Sequence, residues 1–586
     1  MPPAPTPGSA TGPSVLWRTP PACDERPPAP DCFADLQLDA IVATITAGRD
    51  EYRLKPFFHS LLPDADAVAY RHGVFRDLED DARRADVLAF ARGMRQVRGL
   101  QAQGAGLTEP LQRERLFLDA AVAYVAAVAK LAEDLGRRPS ASRGLRAVAA
   151  FLTGHVAGDA FLALRAEATR VRDLIAAVRY DLTVLRDRVV VARVDSGAAE
   201  GSGSVAEGGS GAAGGIGSER GEGAAAAADA AATDDPDAAD ELRRALTRFG
   251  PGTARRRAPA ASEELAATPL EAQILRQVAR LHPEAFDALA DFVRRYPDPI
   301  DPTVARFDRE VQFYLAVLHH VDRWRRRGIA FCYPRVSDRH HGGQCDGDNH
   351  GGGEGGDEDR GRGGVKGGGQ RERVVDAVDL ALADRLLADG ATVVPNGYEL
   401  AGPERVLVVT GANQGGKTTF ARTVGQLHVL AALGCPVAAR EARLTLADRV
   451  LTLFEREEDL RDLRGKLQDE LVRARELLAR ATPASVAIVN EAVGATTAAD
   501  ALQVGRRVLR RLLDLGALGV WVTFVDELAS LDPAVVSMVC GVDPADPTRR
   551  TFELARRPAD GRAYAVAIAR AHGLTYDELR RRLDDA

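Results

Sequence analysis

Lysine is almost missing from this chain. Five of its 77 basic residues are lysines (Lys55, Lys130, Lys366, Lys417 and Lys466), and the rest are arginines. With so much Ala, Arg and Gly around them, arginine clusters reflect compositional bias and are weak evidence of an anionic partner. A positive balance is missing as well: 77 basic against 84 acidic residues leave −7, so no global field draws the chain to nucleic acid. The six cysteines (Cys23, Cys32, Cys332, Cys345, Cys435, Cys540) form no C-x-x-C pair. That argues against a disulfide framework or a structural zinc site and fits a reducing compartment. No apolar run approaches the roughly 20 residues that span a bilayer. The opening MPPAPTPGSATGPS has neither the charged nor the apolar part of a signal peptide. A soluble, cytoplasmic protein is expected. What is present is core material: 45% of 586 residues are hydrophobic, and that length is a prior of about four domains.

The pattern divides the chain. Residues 1–32 read as a disordered Pro-rich tail. Residues 33–195 read as a helical core and an outgoing lever helix, with Leu164, Val171, Leu174, Val178, Leu182, Leu185 and Val189 on one apolar face. Residues 196–262 are a Gly/Ala/Ser-rich insertion with too little apolar surface to offset its ordering entropy. Returning lever helices are expected over 263–337, where Val304, Phe307, Val311, Tyr314, Leu318 and Val321 follow a coiled-coil-like seam. A second Gly-rich insertion, 338–371, holds His340, His341, Cys345 and His350; its lack of recurring ligand spacing argues against a metal site. From 372 to 586, short β-branched runs (406–409, 486–489, 520–524) alternate with helical stretches, which predicts an α/β domain with a mainly parallel sheet. The fold class expected is therefore mixed, with a helical core and lever domain followed by an α/β P-loop domain.

That domain carries Gly411-Ala412-Asn413-Gln414-Gly415-Gly416-Lys417-Thr418, a full G-x-x-x-x-G-K-[ST] match followed by Thr419. It lies between a predicted strand and a predicted helix, the context in which the motif cradles phosphate. Glycines let backbone N–H groups converge, and the helix N-terminus adds its positive end. Lys417 is placed to pair with the β and γ phosphates of ATP, and Thr418 to ligate Mg²⁺. Downstream, the run Ser485-Val486-Ala487-Ile488-Val489-Asn490-Glu491 reads as a buried strand with acidic and amide groups at its C-terminal edge. Glu491 is the expected catalytic base for water. Asn490 stands where an aspartate normally supports Mg²⁺; its oxygen still accepts a hydrogen bond but carries no charge, so slow hydrolysis is expected.

These residues resemble the MutS family of DNA mismatch repair ATPases, of the ABC-type P-loop class. The resemblance rests on VLVVTGANQGGKTTFART (406–423), GCPVAAREARLTLADRVLT (434–452), LQDEL (467–471), VNEAVGATTAADAL (489–502), VTFVDEL (522–528) and PADGRAYAVAIARAHGLTYDELRRRL (558–583). FADLQLDAIVATITAGRDEYRLKPFFHSLL (33–62) and YRHGVFRDLED (70–80) are similar to the family's helical core. The chain departs from the family's G-P-N-M-G-G-K-S-T at Ala412, Gln414 and Thr418. Phe524 falls on the family's switch histidine. Gly465, Lys466, Thr496 and Thr497 are the candidates for positions that act across a dimer or as a signature, and Lys466 is expected to reach the partner's nucleotide. No G-x-F-Y-E motif occurs, so the resemblance implies a subfamily without the mismatch-binding domain.

The resemblance implies an ATPase working as a homodimer, with ATP and Mg²⁺, on mismatched, branched or damaged DNA, and nucleoid-associated in that case. The arginine groups Arg323, Arg325–Arg327 and Arg255–Arg257 are candidate phosphate contacts, with a solvated helix end and a charged linker as the plainer reading. The alternatives are an ATP-dependent sensor acting on a ribosomal or protein partner, and a clamp that binds ATP and barely hydrolyses it.

Overall fold

A computed structural model describes residues 12–19, 27–178, 180–185, 188–193, 269–338, 370–455, 465–494, 496–543, 549–559 and 574–584. The fold is mixed helical and α/β with a mostly parallel sheet. The chain divides into two compact units: Met1–Asp81 with Ser140–Val148 and Arg306–Ala586, and Ala82–Pro139 with Ala149–Ala305. The expected insertion at 196–262 lies outside the described residues, as do Arg255–Arg257 and 339–369 with His340, His341, Cys345 and His350. Strand structure resumes at Gln370.

In the first unit, helix α1 (Ala65–Glu79) and most of helix α2 (Pro302–Arg325) supply much of the helical core. The predicted seam on α2 is buried, but so are Phe313, Leu315, Ala316, Val317 and Trp324. A coiled-coil seam buries one narrow stripe; a helix buried around most of its circumference is a central core helix. Trp324 donates its indole N–H to His320 Nε2 at 2.7 Å, which satisfies a polar group that burial would otherwise penalise.

The sheet of this unit contains β1 (Val406–Thr410), β2 (Val450–Phe454), β3 (Val486–Asn490), β4 (Leu518–Val522), β5 (Val535–Val542) and β6 (Arg550–Arg556) in the order β6-β5-β1-β4-β3-β2. Every pairing is parallel except β5 with β6. Strands β1, β3 and β4 are buried at every position, as continuous apolar runs must be when both faces of a parallel sheet are covered. Three helices follow the predicted crossovers: α3 (Lys417–Ala432), α4 (Lys466–Arg480) and α5 (Ala498–Leu515). On α5, Val508, Leu509 and Leu512 face the core while Arg506, Arg507, Arg510 and Arg511 are exposed, the 3.6-residue period made visible. A second sheet runs 335–337, 441–445, 370–377, 396–401 in spatial order.

The other unit is built from helices Pro110–Arg137, Asp159–Ala177, Pro269–Leu281 and Pro283–Arg295 with most of Asp81–Ala105. Its core includes Leu118, Tyr124, Val128, Leu164, Val171, Leu289 and Phe292. The apolar face expected over 161–189 stops short: the helix ends at Ala177, and Tyr180–Leu185 pairs antiparallel with Arg188–Arg193. The stretch Thr183, Val184, Val189, Val190, Val191 is β-branched, which lowers helix propensity and favours a strand. Among the described residues no single helix is long and apolar enough to cross a membrane.

One further expectation is overturned. Ser14, Val15 and Leu16, within the stretch read as a disordered tail, are buried. The carboxylate of Glu310 accepts from the Ser14 hydroxyl at 2.8 Å and from the Val15 N–H at 2.8 Å. A tail is loose only if it has nothing to bury, and Val15-Leu16-Trp17 is apolar.

Candidate nucleotide-binding site

The turn after β1 can form because three of its positions adopt positive φ. Gly411 stands at +111° and Gly416 at +95°, with Gln414 at +60° between them, conformations that cost a side chain energy. Packing adds a second constraint. A Cβ on Gly411 would meet the Cys540 backbone nitrogen at 3.1 Å, and one on Gly415 would meet the Ala412 oxygen at 2.9 Å. The loop is thus pressed against β5 and tightly wound, with the Gly415 N–H donating to Ala412 O at 3.2 Å. Gly416 is the N-cap of α3 and no side chain caps it, so the positive end of a sixteen-residue helix opens into the loop.

Lys417 is buried and folded back on that loop. Its Nζ donates to Gly411 O at 3.0 Å, to Ala412 O at 3.4 Å and to Asn413 Oδ1 at 3.4 Å. Phe524, 57% exposed, places its ring centroid 4.3 Å from the same nitrogen, a cation–π contact. Glu491 Oε1 lies 4.0 Å from it. Burial lowers the Lys417 pKa, and the charge of Glu491 opposes that shift. Burial pushes the Glu491 carboxyl up, with Lys417 holding it down and Glu455 adding to the rise. Glu491 also has φ +52°; a non-glycine residue in this region is strained, and such strain gathers at functional sites.

Asn490 ends β3, buried, and its Oδ1 has no hydrogen-bond partner among the described residues. Such an orphan acceptor costs about 1–3 kcal/mol and fits a water held on a Mg²⁺ ion. Thr418 and Thr419 occupy the first turn of α3, both half-buried. The residues present therefore suit the ion: a hydroxyl in the helix's first turn and an unsatisfied amide oxygen at the neighbouring strand end. Elsewhere among the described residues no cluster of His, Cys, Asp and Glu could hold a metal.

Other candidates are placed differently. Gly465 is exposed at the N-cap of α4, and Lys466 pairs with Glu455 of the same chain. Thr497 caps α5: its hydroxyl accepts from the Asp500 N–H at 3.2 Å and donates to Asp500 Oδ2 at 2.9 Å. Thr496 reaches the same carboxylate at 3.4 Å. Arg323 is 2.9 Å from Asp384, and Arg325 is 2.9 Å from Glu79, so both are engaged in ion pairs within the unit.

Sequence reasoning missed the far wall. Arg550 Nε donates to Asn413 O at 3.1 Å, and Phe552 lies 3.8 Å from where a Gly416 Cβ would sit. Phe552 is half exposed with φ +60°. Its carbonyl accepts from Asn396 Nδ2 at 3.0 Å, while Asn396 Oδ1 accepts from the Leu554 N–H at 2.7 Å. The β5–β6 register shifts between Cys540 and Val542, and this bulge re-aims Phe552. No local motif announces a bulge.

Comparison with known proteins places this geometry. The family described as MutS domain V matches residues 407–576. An Endonuclease MutS2 of Thermomicrobium roseum is 31% identical over 210 residues, 35% of this chain and 26% of that protein. A DNA mismatch repair protein MutS of Caldicellulosiruptor saccharolyticus is 28% identical over 195 residues, 32% of this chain and 23% of its own. The DNA mismatch repair protein Msh3 of Mus musculus is 28% identical over 152 residues, 26% of this chain and 14% of its own. The chain thus spans about a quarter or less of the length of these relatives. Each likeness falls on about a third of this chain or less, and the matching domain contains the loop, Lys417 and Glu491. Residues 407–576, which carry that loop, are thus similar to MutS domain V.

Proposed function

We propose that the protein is an ATP-dependent DNA-binding protein of MutS type, in which ATP binding and slow hydrolysis in a homodimer move helical levers on mismatched, branched or damaged DNA. The observation that carries the reading is the buried Lys417 within 4.0 Å of Glu491 at the open end of α3. In this reading Lys417 leaves the Gly411 and Ala412 carbonyls and pairs with the β and γ phosphates, while N–H groups of 411–416 and the α3 terminus hold the remaining charge. Thr418 and, through water, Asn490 would hold Mg²⁺, which when bound neutralises phosphate charge. Glu491 orients the attacking water and takes its proton. Gly465, Lys466, Thr496 and Thr497 stay candidates for contacts across the dimer.

DNA comes into the proposal from the names of the relatives and from the exposed arginines of α5. The test is the ATP hydrolysis rate with Mg²⁺, alone and titrated with duplex, mismatched and branched DNA, beside a Glu491→Gln control. Stimulation by one DNA form, lost in the control, is expected. A rate indifferent to every DNA form would sink the DNA assignment. A second reading is favoured by Asn490 and Phe524 in place of the family's aspartate and histidine. It is a nucleotide-locked clamp on a ribosomal or protein partner, and absent hydrolysis with intact ATP binding would select it.

A further inference from the structure

The segment around Val15 is held in an unusual way. Side chains of α1 and α2 engage its backbone carbonyl by carbonyl. Arg306 Nη2 donates to Gly12 O at 2.5 Å and to Pro13 O at 3.1 Å. Tyr70 Oη donates to Ser14 O at 2.6 Å, Tyr314 Oη to Val15 O at 2.5 Å, and Arg71 Nε to Leu16 O at 3.1 Å. On the donor side, Glu310 Oε2 accepts from the Val15 N–H at 2.8 Å and the Leu16 N–H at 3.4 Å. Side chains of the segment are held too: Trp17 lies under the Arg71 guanidinium, 4.7 Å from the ring centroid, and Arg18 pairs with Asp64 and Asp66. The same Arg71 donates through Nη1 to Leu433 O, the C-cap of α3, at 2.7 Å. Gly434, at φ +67°, makes room for it, since a Cβ there would sit 3.0 Å from Arg71 Cβ.

Ordinary core segments bury side chains and pair backbone with backbone. Here the backbone polar groups are met by side chains, Arg71 and Glu310 among them, that are themselves almost fully buried. Buried charges of that kind are costly unless hydrogen-bonded. With the segment gone, Glu310 would lose the donors at its Oε2, and the Tyr70 and Tyr314 hydroxyls their carbonyl acceptors. Within the segment Ser14 Oγ also accepts from the Leu16 and Trp17 N–H groups, at 3.2 and 3.0 Å, so the peptide is held as a turn; main-chain hydrogen bonds for affinity with side-chain pockets for specificity are how proteins hold peptides. We propose that the groove between α1, α2 and the end of α3 is a binding site for a short turned peptide, and that its ligand is Gly12–Arg18 of this same chain. Its occupation ties the helical core to the end of the helix whose other end forms the nucleotide loop.

The test uses the full chain with a protease site in place of residues 20–26. After cleavage, the N-terminal fragment is expected to co-elute with the body at concentrations where the body is monomeric. A labelled synthetic peptide of residues 12–19 should displace it saturably. A peptide carrying Leu16→Asp and Trp17→Ala should bind more weakly by about tenfold or more, and Glu310→Gln in the body should lower retention of the native peptide several-fold. Release of the fragment with no change in Tm would overturn the proposal. So would a fragment that stays but never exchanges, or one whose loss cannot be reversed by excess peptide, because each marks an ordinary piece of core. Retention only in a dimer would overturn the assignment within one chain.

Discussion

Glu491 and Lys417 are altered by the same burial in opposite directions, and the consequence is measurable. Desolvation raises the Glu491 pKa and lowers that of Lys417. A general base works deprotonated, so the proposed role of Glu491 predicts that hydrolysis falls as pH drops through a carboxyl pKa that lies above its ordinary value of about 4.3. The acid limb of the rate profile is therefore expected above the range of a solvated glutamate. A rate flat down to that range would remove Glu491 from the role. Glu491→Gln should cut hydrolysis by about a hundredfold or more while leaving ATP binding intact. Phe524 offers a separate test. Its ring holds Lys417 in the position parked on the loop carbonyls, a contact of about 0.5–1 kcal/mol that phosphate binding must break. Phe524→Ala should tighten ATP binding about two- to fivefold in a direct titration, and unchanged or weaker affinity would show that the contact does not compete with phosphate.

The elements make their own demands. Thr497 closes the first turn of α5 by accepting from the Asp500 N–H. Thr497→Ala should therefore lower stability by about 1 kcal/mol, whereas Thr496→Ala, whose bond is longer, should change it by about half of that or less. A contact across a dimer would instead show as a change in ATPase rate at equal stability. In β4, Gly519 lies against β3 so closely that a Cβ would meet Ala487 O at 2.2 Å. Backbone in mid-sheet cannot give way, so Gly519→Ala is expected to cost at least about 2 kcal/mol in chemical denaturation. A neutral result would mean the strands are not paired in this register. The three buried strands and the helices between them were legible in the sequence because an apolar run with β-branched residues has few other uses. The stretch after Ala177 was misread because Leu174, Val178, Leu182 and Leu185 fit a helical spacing while the residues themselves prefer a strand.

For the whole molecule the open question is the polymer. A net charge of −7 provides no general attraction, so any DNA affinity must come from local arginines and fall steeply with salt. Binding to a structured DNA measured between low and physiological salt should show that dependence, and affinity indifferent to salt would favour a protein or ribosomal partner. Arg506, Arg507, Arg510 and Arg511 are the exposed set to neutralise first, since Arg323 and Arg325 already pair with Asp384 and Glu79. The sequence by itself determined the glycine-rich loop, the strand and helix around it, and the strand end that carries Asn490 and Glu491, because each is a contiguous stretch whose local structure follows from neighbouring residues. Only the tertiary structure decided what meets them. Glu491 comes within reach of Lys417 because β1, β4 and β3 lie side by side. Arg550 and Phe552 arrive by a bulge on an antiparallel strand. Ser14–Leu16 is ordered by a carboxylate 295 positions away. Local patterns record which groups a segment must bury or satisfy; they do not record which distant group will do it, and that choice belongs to the packed core.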